Sequence, residues 1–241
     1  MVKNFVKLIL QKLLGFDNYL FIFSIFTINR LQRNWHEKEF VQFMNMIPAD
    51  GHVLDIGSNI GIMAVPLANR VKSGKVFSFE PMPQNIKALR RIVAHYRLKN
   101  IQIFEMALGE ETGELKMIMP VINNVKMQGL SHVVDGEKNT EDGIYFSVPV
   151  QKLDNIEDLK AIPKIDAIKI DVENFEYYVL KGARELLGRH KPIIYCELWD
   201  NEKRKLTMDY LKNDFGYQAK VILDGCLIDY TDQPGSNFLF V

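Results

Sequence analysis

The stretch Val53-Leu54-Asp55-Ile56-Gly57-Ser58-Asn59-Ile60-Gly61, followed by Glu80 at the end of the next apolar run, decides how this chain folds. His52 to Ile56 is short and apolar enough for a buried parallel strand. It breaks at glycine and gives way to helical periodicity, so strand, glycine turn and helix meet at one point. Gly57 and Gly61 carry no Cβ, which lets the chain turn sharply and lets its backbone approach a ligand. Lys75 to Phe79 reads as the second strand, ended by Pro81 and Pro83. It delivers Glu80 roughly 20 residues after the turn, the distance at which a carboxylate accepts hydrogen bonds from both ribose hydroxyls.

The turn also discriminates between nucleosides. Dinucleotide enzymes use G-x-G-x-x-G, whose amides receive a pyrophosphate. This turn is D-x-G-x-x-x-G. Asp55 would repel a phosphate, but it suits a ligand carrying an ammonium group and a sulfonium. S-adenosylmethionine has both and no phosphate, so it is the expected cofactor. A dinucleotide-dependent oxidoreductase is the more distant reading.

At 241 residues the chain can bury one substantial core. Lys plus Arg and Asp plus Glu are 30 each, so no dominant basic field points to a nucleic-acid partner. Cys196 and Cys226 are the only cysteines, which gives no disulfide framework or metal-ligand cluster and suggests a reducing, cytoplasmic setting. Cys196 sits in an apolar strand pattern and reads as core.

Periodicity places a helix over Ile60–Val71, with Pro66 expected to kink it, and another over Gln84–Leu98. Ile101–Met106 is the third strand. Between Gly113 and Val150 the helical pattern vanishes; extended pieces at Leu115–Met119 and Phe146–Val150 flank a polar loop, an insertion expected to carry specificity. Ile165–Val172 follows as a strand, Phe175–Leu187 as one helix closed by Gly188, Pro192–Leu198 as a strand and Lys203–Phe215 as a helix. Gln218–Leu223 and Asn237–Val241 close the chain, expected as antiparallel edge strands. The alternation describes a doubly wound α/β domain.

In Val2–Leu14, Lys3, Lys7 and Gln11 recur every fourth residue with Asn4 and Lys12 beside them, while Phe5, Val6, Ile9 and Leu13 fill the rest: an amphipathic basic helix. Tyr19–Ile28 is nearly all apolar but about half the roughly 20 residues a spanning helix needs, and Asp17 and Asn18 separate it from the first run. No small-residue cleavage site follows, so neither a membrane span nor a signal peptide is expected. The two runs read as helices packing on the catalytic domain or covering its acceptor cleft. Peripheral membrane contact or a homodimer through residues 1–30 is the alternative.

The ordered blocks VLDIGSNIG, VFSFEP, EMALGEETGELKM, VPVQKLDNI, IDAIKIDVENFEYYVLKGARELL and KPIIYCEL resemble the FkbM-type S-adenosylmethionine-dependent methyltransferases over Val53 to Leu198. The resemblance implies an α/β, Rossmann-like class I methyltransferase fold: a mostly parallel seven-stranded sheet with helices on both faces. An N-terminal helical extension over residues 1–40 would precede a methyltransferase domain over 41–241. Asp55, Gly57, Asn59 and Gly61 would surround the methionine part, with Ser58 in the same turn; Glu80 would hold the ribose, and Met106 and Ala107 would border the adenine. The family usually shows glycine after its K-I-D-V-E block, where this chain has Asn174, a residue that tolerates left-handed backbone.

Asp171 and Glu173 fall at the carboxyl end of the fourth strand, facing the transferable methyl. Methyl transfer from a sulfonium is an in-line displacement, in which alignment can supply roughly 7 to 11 kcal/mol. An alcohol acceptor must also lose its proton, and a general base adds about 10² to 10⁴-fold. The candidates are Asp171, Glu173 and His132. The competing readings are a cofactor hydrogen-bond acceptor or helix cap for Asp171, a cap for Glu173 and a loop histidine for His132. His36, His52, His95 and His190 show no partner spacing. No metal ligands are assigned, although Asp171 and Glu173 with Glu197 could gather a divalent cation. The resemblance therefore implies an O-methyltransferase acting on a sugar, glycan or other small hydroxylated metabolite. The alternative is a non-catalytic protein of this fold that docks on a membrane or partner through its N-terminal helices.

Overall fold

Three helices, α1 (Val2–Leu14), α2 (Phe16–Arg33) and α3 (Lys38–Met46), precede the first strand. The computed structural model describes residues 2–33, 38–134, 142–223 and 225–241, so His36 and part of the polar loop lie outside the described residues. The chain continues through β1 (His52–Ile56), α4 (Ala64–Arg70), β2 (Lys75–Phe79), α5 (Pro83–His95) and β3 (Ile101–Phe104). β4 (Ala107–Leu108), which precedes the predicted insertion, and the insertion's own β5 (Gly113–Ile122), β6 (Val125–Lys126), β7 (His132–Val133) and β8 (Gly143–Gln151) then build a second sheet. After α6 (Glu157–Lys160) come β9 (Ala167–Ile170), α7 (Glu176–Lys181), α8 (Arg184–His190), β10 (Ile193–Glu197) and α9 (Glu202–Phe215). The hairpin β11 (Ala219–Leu223) and β12 (Cys226–Asp229) and the last strand, β13 (Asn237–Phe240), finish the fold.

The main sheet has eight strands in the order β12-β11-β13-β10-β9-β1-β2-β3. This corrects the expected seven: β12 extends the edge as the return arm of a hairpin. β10, β9, β1, β2 and β3 run parallel, and β13 and β11 pair antiparallel as expected of an edge. The two-residue period of a strand sorts the core by face. Leu54, Phe77, Ile168, Ile194 and Phe238 pack with Leu180, Leu187 and Leu211 of the C-terminal helices. Their neighbours Val53, Val76, Ala167, Tyr195 and Leu239 pack with Phe40, Phe43 and Leu67 of α3 and α4 on the other side. Helices thus cover both faces, which is why β1 and β9 are apolar almost throughout.

Two expected helices differ. α4 begins at Ala64, so Pro66 lies in its first turn, where the missing N–H is no loss and a kink is not called for. The single helix over Phe175–Leu187 is two, α7 and α8. Asp154 breaks it by accepting the amides of Glu185 and Leu186, both at 2.9 Å, which caps α8 from a distant loop. Gly188 lies inside α8, which ends at Lys191 in left-handed backbone.

The N-terminal helices pack on the domain. Leu20 and Ile28 of α2 are fully buried, and the Arg91 guanidinium of α5 lies 4.1 Å over the Phe21 ring. Ser24 donates to the Ile60 carbonyl at 3.0 Å, joining α2 to the segment after β1.

Candidate active site

Strand order reverses between β1 and β9, with β2 and β3 on one side and β10 on the other. A crevice opens outside the carboxyl ends of strands at such a switch point. Here it brings together the turn after β1, Glu80 after β2 and Asp171 after β9. Gly57 stands at φ 74°, and a Cβ on it would lie 1.9 Å from the Asp171 carbonyl oxygen. That position therefore needs glycine to admit the backbone after β9. The Gly57 and Ser58 amides both donate to the Phe79 carbonyl at 3.0 Å, clamping the turn to the end of β2. The next amide, Asn59, donates to Glu80 Oε2 at 2.8 Å.

Glu80 is 3% exposed, and its other oxygen accepts from the Met82 amide at 2.9 Å and from Asn85 Nδ2 at 3.2 Å. Burial pushes its carboxyl up to about 7 in spite of these donors. Gly57, Asn59, Glu80, Met106, Ala107, Asp171 and Glu173 line one cavity. Asp55, Ser58 and Gly61 do not line it. Asp55 is fully buried beneath the turn, 3.6 Å from Lys169 Nζ, so its charge offsets a lysine and not a ligand's ammonium. Ser58 is buried and donates to the Asp55 carbonyl, and Gly61 backs onto Leu89 and Ile92 of α5.

Lys169, which sequence reasoning passed over, is the electrostatic centre of the site. It is 2% exposed, donates to the Gly57 carbonyl at 2.8 Å, and lies 3.7 Å from Asp171. Burial works against its ammonium, but Asp171, Asp55 and Glu80 outweigh that and raise its pKa. Burial raises the Asp55 carboxyl, with Lys169 opposing. The available signal was a lysine between isoleucines in a strand apolar on both faces, a position that demands a buried counter-charge.

The lining suits an adenosine and not a pyrophosphate. No lysine or arginine is among the described residues lining the cavity, while Glu80 offers an acceptor and Asn85 Oδ1 is buried with no hydrogen-bond partner. The cavity is narrow, about 60 Å³, and Met82, Met106 and Met117 form part of its wall. Thioether side chains change rotamer readily, so a nucleoside would enter by displacing them.

A second cleft of about 450 Å³ adjoins the first, lined by His132, Tyr145, Tyr178, Trp199 and Lys203. Val133, Glu173 and Phe175 line both spaces. Glu173 is half-buried; burial first, then the carboxylates of Asp171, Glu197 and Glu176, push its pKa up to about 8. His132 reaches only the second cleft, its Nδ1 2.9 Å from the Leu130 carbonyl. The insertion supplies Ile118, His132, Val133, Val134 and Tyr145 to this wall, and no described residue of α1 or α2 lines either space. Among the described residues no group of three His, Cys, Asp or Glu is arranged to hold a metal ion.

The profile of the methyltransferase FkbM domain matches residues 55–219. The chain belongs to the FkbM methyltransferase family. It is 23% identical over 198 residues to the methyltransferase sdnD of Sordaria araneosa, covering 71% of this chain and 75% of the relative. To methyltransferase 1 of Beauveria bassiana it is 24% identical over 188 residues, covering 72% and 75%. The crystal structure of methyltransferase FkbM from Methylobacillus flagellatus superposes with a TM-score of 0.55 at 16% identity, which supports the shared fold; all of this chain spans 59% of that one.

At the position where members of the FkbM family usually carry glycine, Asn174 stands at φ 70° directly after Glu173 at φ 53°. Two consecutive left-handed residues need restraint. Glu176, also missed in the sequence, accepts the amides of Val172 at 3.2 Å and Asn174 at 3.1 Å. Asn174 Oδ1 accepts from Asn201 at 2.8 Å, and Lys203 donates to the Asn174 carbonyl at 3.3 Å. The turn survives the substitution and aims Glu173 between the two spaces, which removes one motive for the non-catalytic reading.

Proposed function

We propose that this FkbM family member transfers a methyl group from S-adenosylmethionine to a hydroxyl of a sugar, glycan or other small hydroxylated metabolite, with Glu173 as general base. The observation that carries the reading is the position of Glu173, a carboxyl poised at about 8 where the Glu80 cavity meets the aromatic cleft. The cofactor would supply an electrophilic methyl on a sulfonium. Glu80, with Asn85 beside it, would accept hydrogen bonds from the ribose hydroxyls; Met106 and Ala107 would flank the base. Asp171 offers a negative charge near the cation. Trp199, Tyr145 and Tyr178 give an acceptor ring apolar faces to lie on, and Glu173 would take the acceptor's proton as oxygen attacks the methyl carbon. His132 lines the acceptor side and is assigned a binding role there.

Calorimetry with S-adenosylhomocysteine tests the cofactor half. Ribose hydroxyls bond best to an ionised carboxylate, so affinity should rise as pH climbs through about 7, the value held by Glu80. Glu80→Gln should cost roughly 1.5 to 3 kcal/mol of binding at pH 8 and flatten that dependence. No binding at millimolar ligand would overturn the assignment.

A further inference from the structure

α1 is mounted with its apolar stripe outward. Gln11 fastens it to the insertion: Nε2 donates to the Lys126 carbonyl at 3.0 Å, and Oε1 accepts the Lys126 amide at 3.1 Å. On a helix, the face opposite Gln11 carries Phe5, Val6, Ile9, Leu10 and Leu13. All five are exposed, Phe5 by 64% and Leu13 by 77%. An amphipathic helix that packs on a domain ordinarily turns this stripe inward. Here Gln11, with Leu14 beside it, faces the protein, and the broader apolar stripe faces out.

The charges beside the stripe say what covers it. Lys12, three residues after Ile9, borders one edge, and Lys7, three residues before Leu10, borders the other. Lys12 is exposed and Lys7 half-buried. The chain carries no Asp or Glu before Asp17, although over its whole length it is neutral. Lysines flanking an apolar stripe let their stems lie along a hydrocarbon boundary while the ammonium groups meet phosphate or carboxylate headgroups. A second copy of α1 would instead bring lysines against lysines, which is unfavourable without an acidic partner on the helix.

We infer that α1 is a membrane-surface anchor that lays Phe5, Ile9 and Leu13 into the interface of an anionic bilayer, with Lys7 and Lys12 on its headgroups. The enzyme would then work beside a lipid surface while its two cavities, which α1 does not line, remain open. None of the described helices is long and apolar enough to cross a membrane, so the attachment is peripheral.

Sedimentation of the full chain with vesicles of phosphatidylcholine, with and without phosphatidylserine, tests this, alongside sedimentation velocity without lipid. The full chain should bind the anionic vesicles and lose affinity as salt is raised. Phe5→Gln with Leu13→Gln should lower partition about tenfold or more, and Lys7→Gln with Lys12→Gln should abolish the preference for phosphatidylserine. All three proteins should share one melting temperature, since the altered side chains are exposed or half-exposed. Equal partition of wild type and the Phe5/Leu13 variant would overturn the inference. So would a lipid-independent dimer that this variant dissolves, which would assign the stripe to a second copy.

Discussion

Lys169 shows how much a single buried charge organises. Its ammonium sits among Asp55, Asp171 and the Gly57 carbonyl, and with Asp55 almost wholly out of water neither partner can be removed alone at little cost. Lys169→Met should destabilise the fold by about 3–5 kcal/mol, because it leaves Asp55 buried and unpaired, and Asp55→Asn in that background should recover much of the loss. Urea denaturation of the single and double variants reads this directly; a single-variant loss under about 1 kcal/mol would mean the pair is not what holds the turn. The sequence showed the acidic residue before the glycine turn but not its partner. Asp55 and Lys169 are 114 positions apart and meet only because β1 and β9 are neighbours in the sheet. Glu80, by contrast, was legible because a strand and a turn of fixed length place it.

At the scale of elements, the strands were the more legible part. β1, β2, β9 and β10 appear within a few residues of their expected bounds because burial on both faces leaves an apolar run that few other structures produce. Two features were not legible: Asp154, remote in sequence, splits one helix into α7 and α8, and β12, a short return arm beside β11 with no buried residue, adds itself to the edge. α2 is a further case. Its apolar run gave a helix, but its role in holding the segment after β1 through Leu20 and Ser24 is a tertiary fact. Leu20→Ala, at a fully buried position, should cost about 2–5 kcal/mol in urea denaturation. A cost near zero would show that α2 is an appendage to the domain and not part of its core.

Across the whole molecule, the fold concentrates carboxyls that hold their protons unusually long. Glu80 and Glu176 are pushed up to about 7 and Glu173 to about 8, each by burial first. The unfolded chain gives up these protons near the ordinary glutamate value, so the folded state binds more protons across the interval between. Their contribution to stability is fully present below that ordinary value and is lost as pH rises through 7 to 8. Without ligand, the urea midpoint should fall between about pH 5 and about pH 8.5, and Glu176→Gln should flatten the fall. A midpoint that rises over this range would contradict the burial argument. The same arrangement bears on the proposed chemistry, because among the described residues the two cavities share Val133, Glu173 and Phe175, and Glu173 is the ionisable one of the three. The decisive measurement is the pH dependence of labelled-methyl transfer from S-adenosylmethionine into a pool of sugars and hydroxylated metabolites. The rate should climb with pH through about 8, the value held by Glu173, and level off only about one pH unit above it, and Glu173→Gln should lower it about 10² to 10⁴-fold while S-adenosylhomocysteine affinity holds. A Glu173→Gln enzyme as fast as wild type, with the same pH profile, would contradict the account.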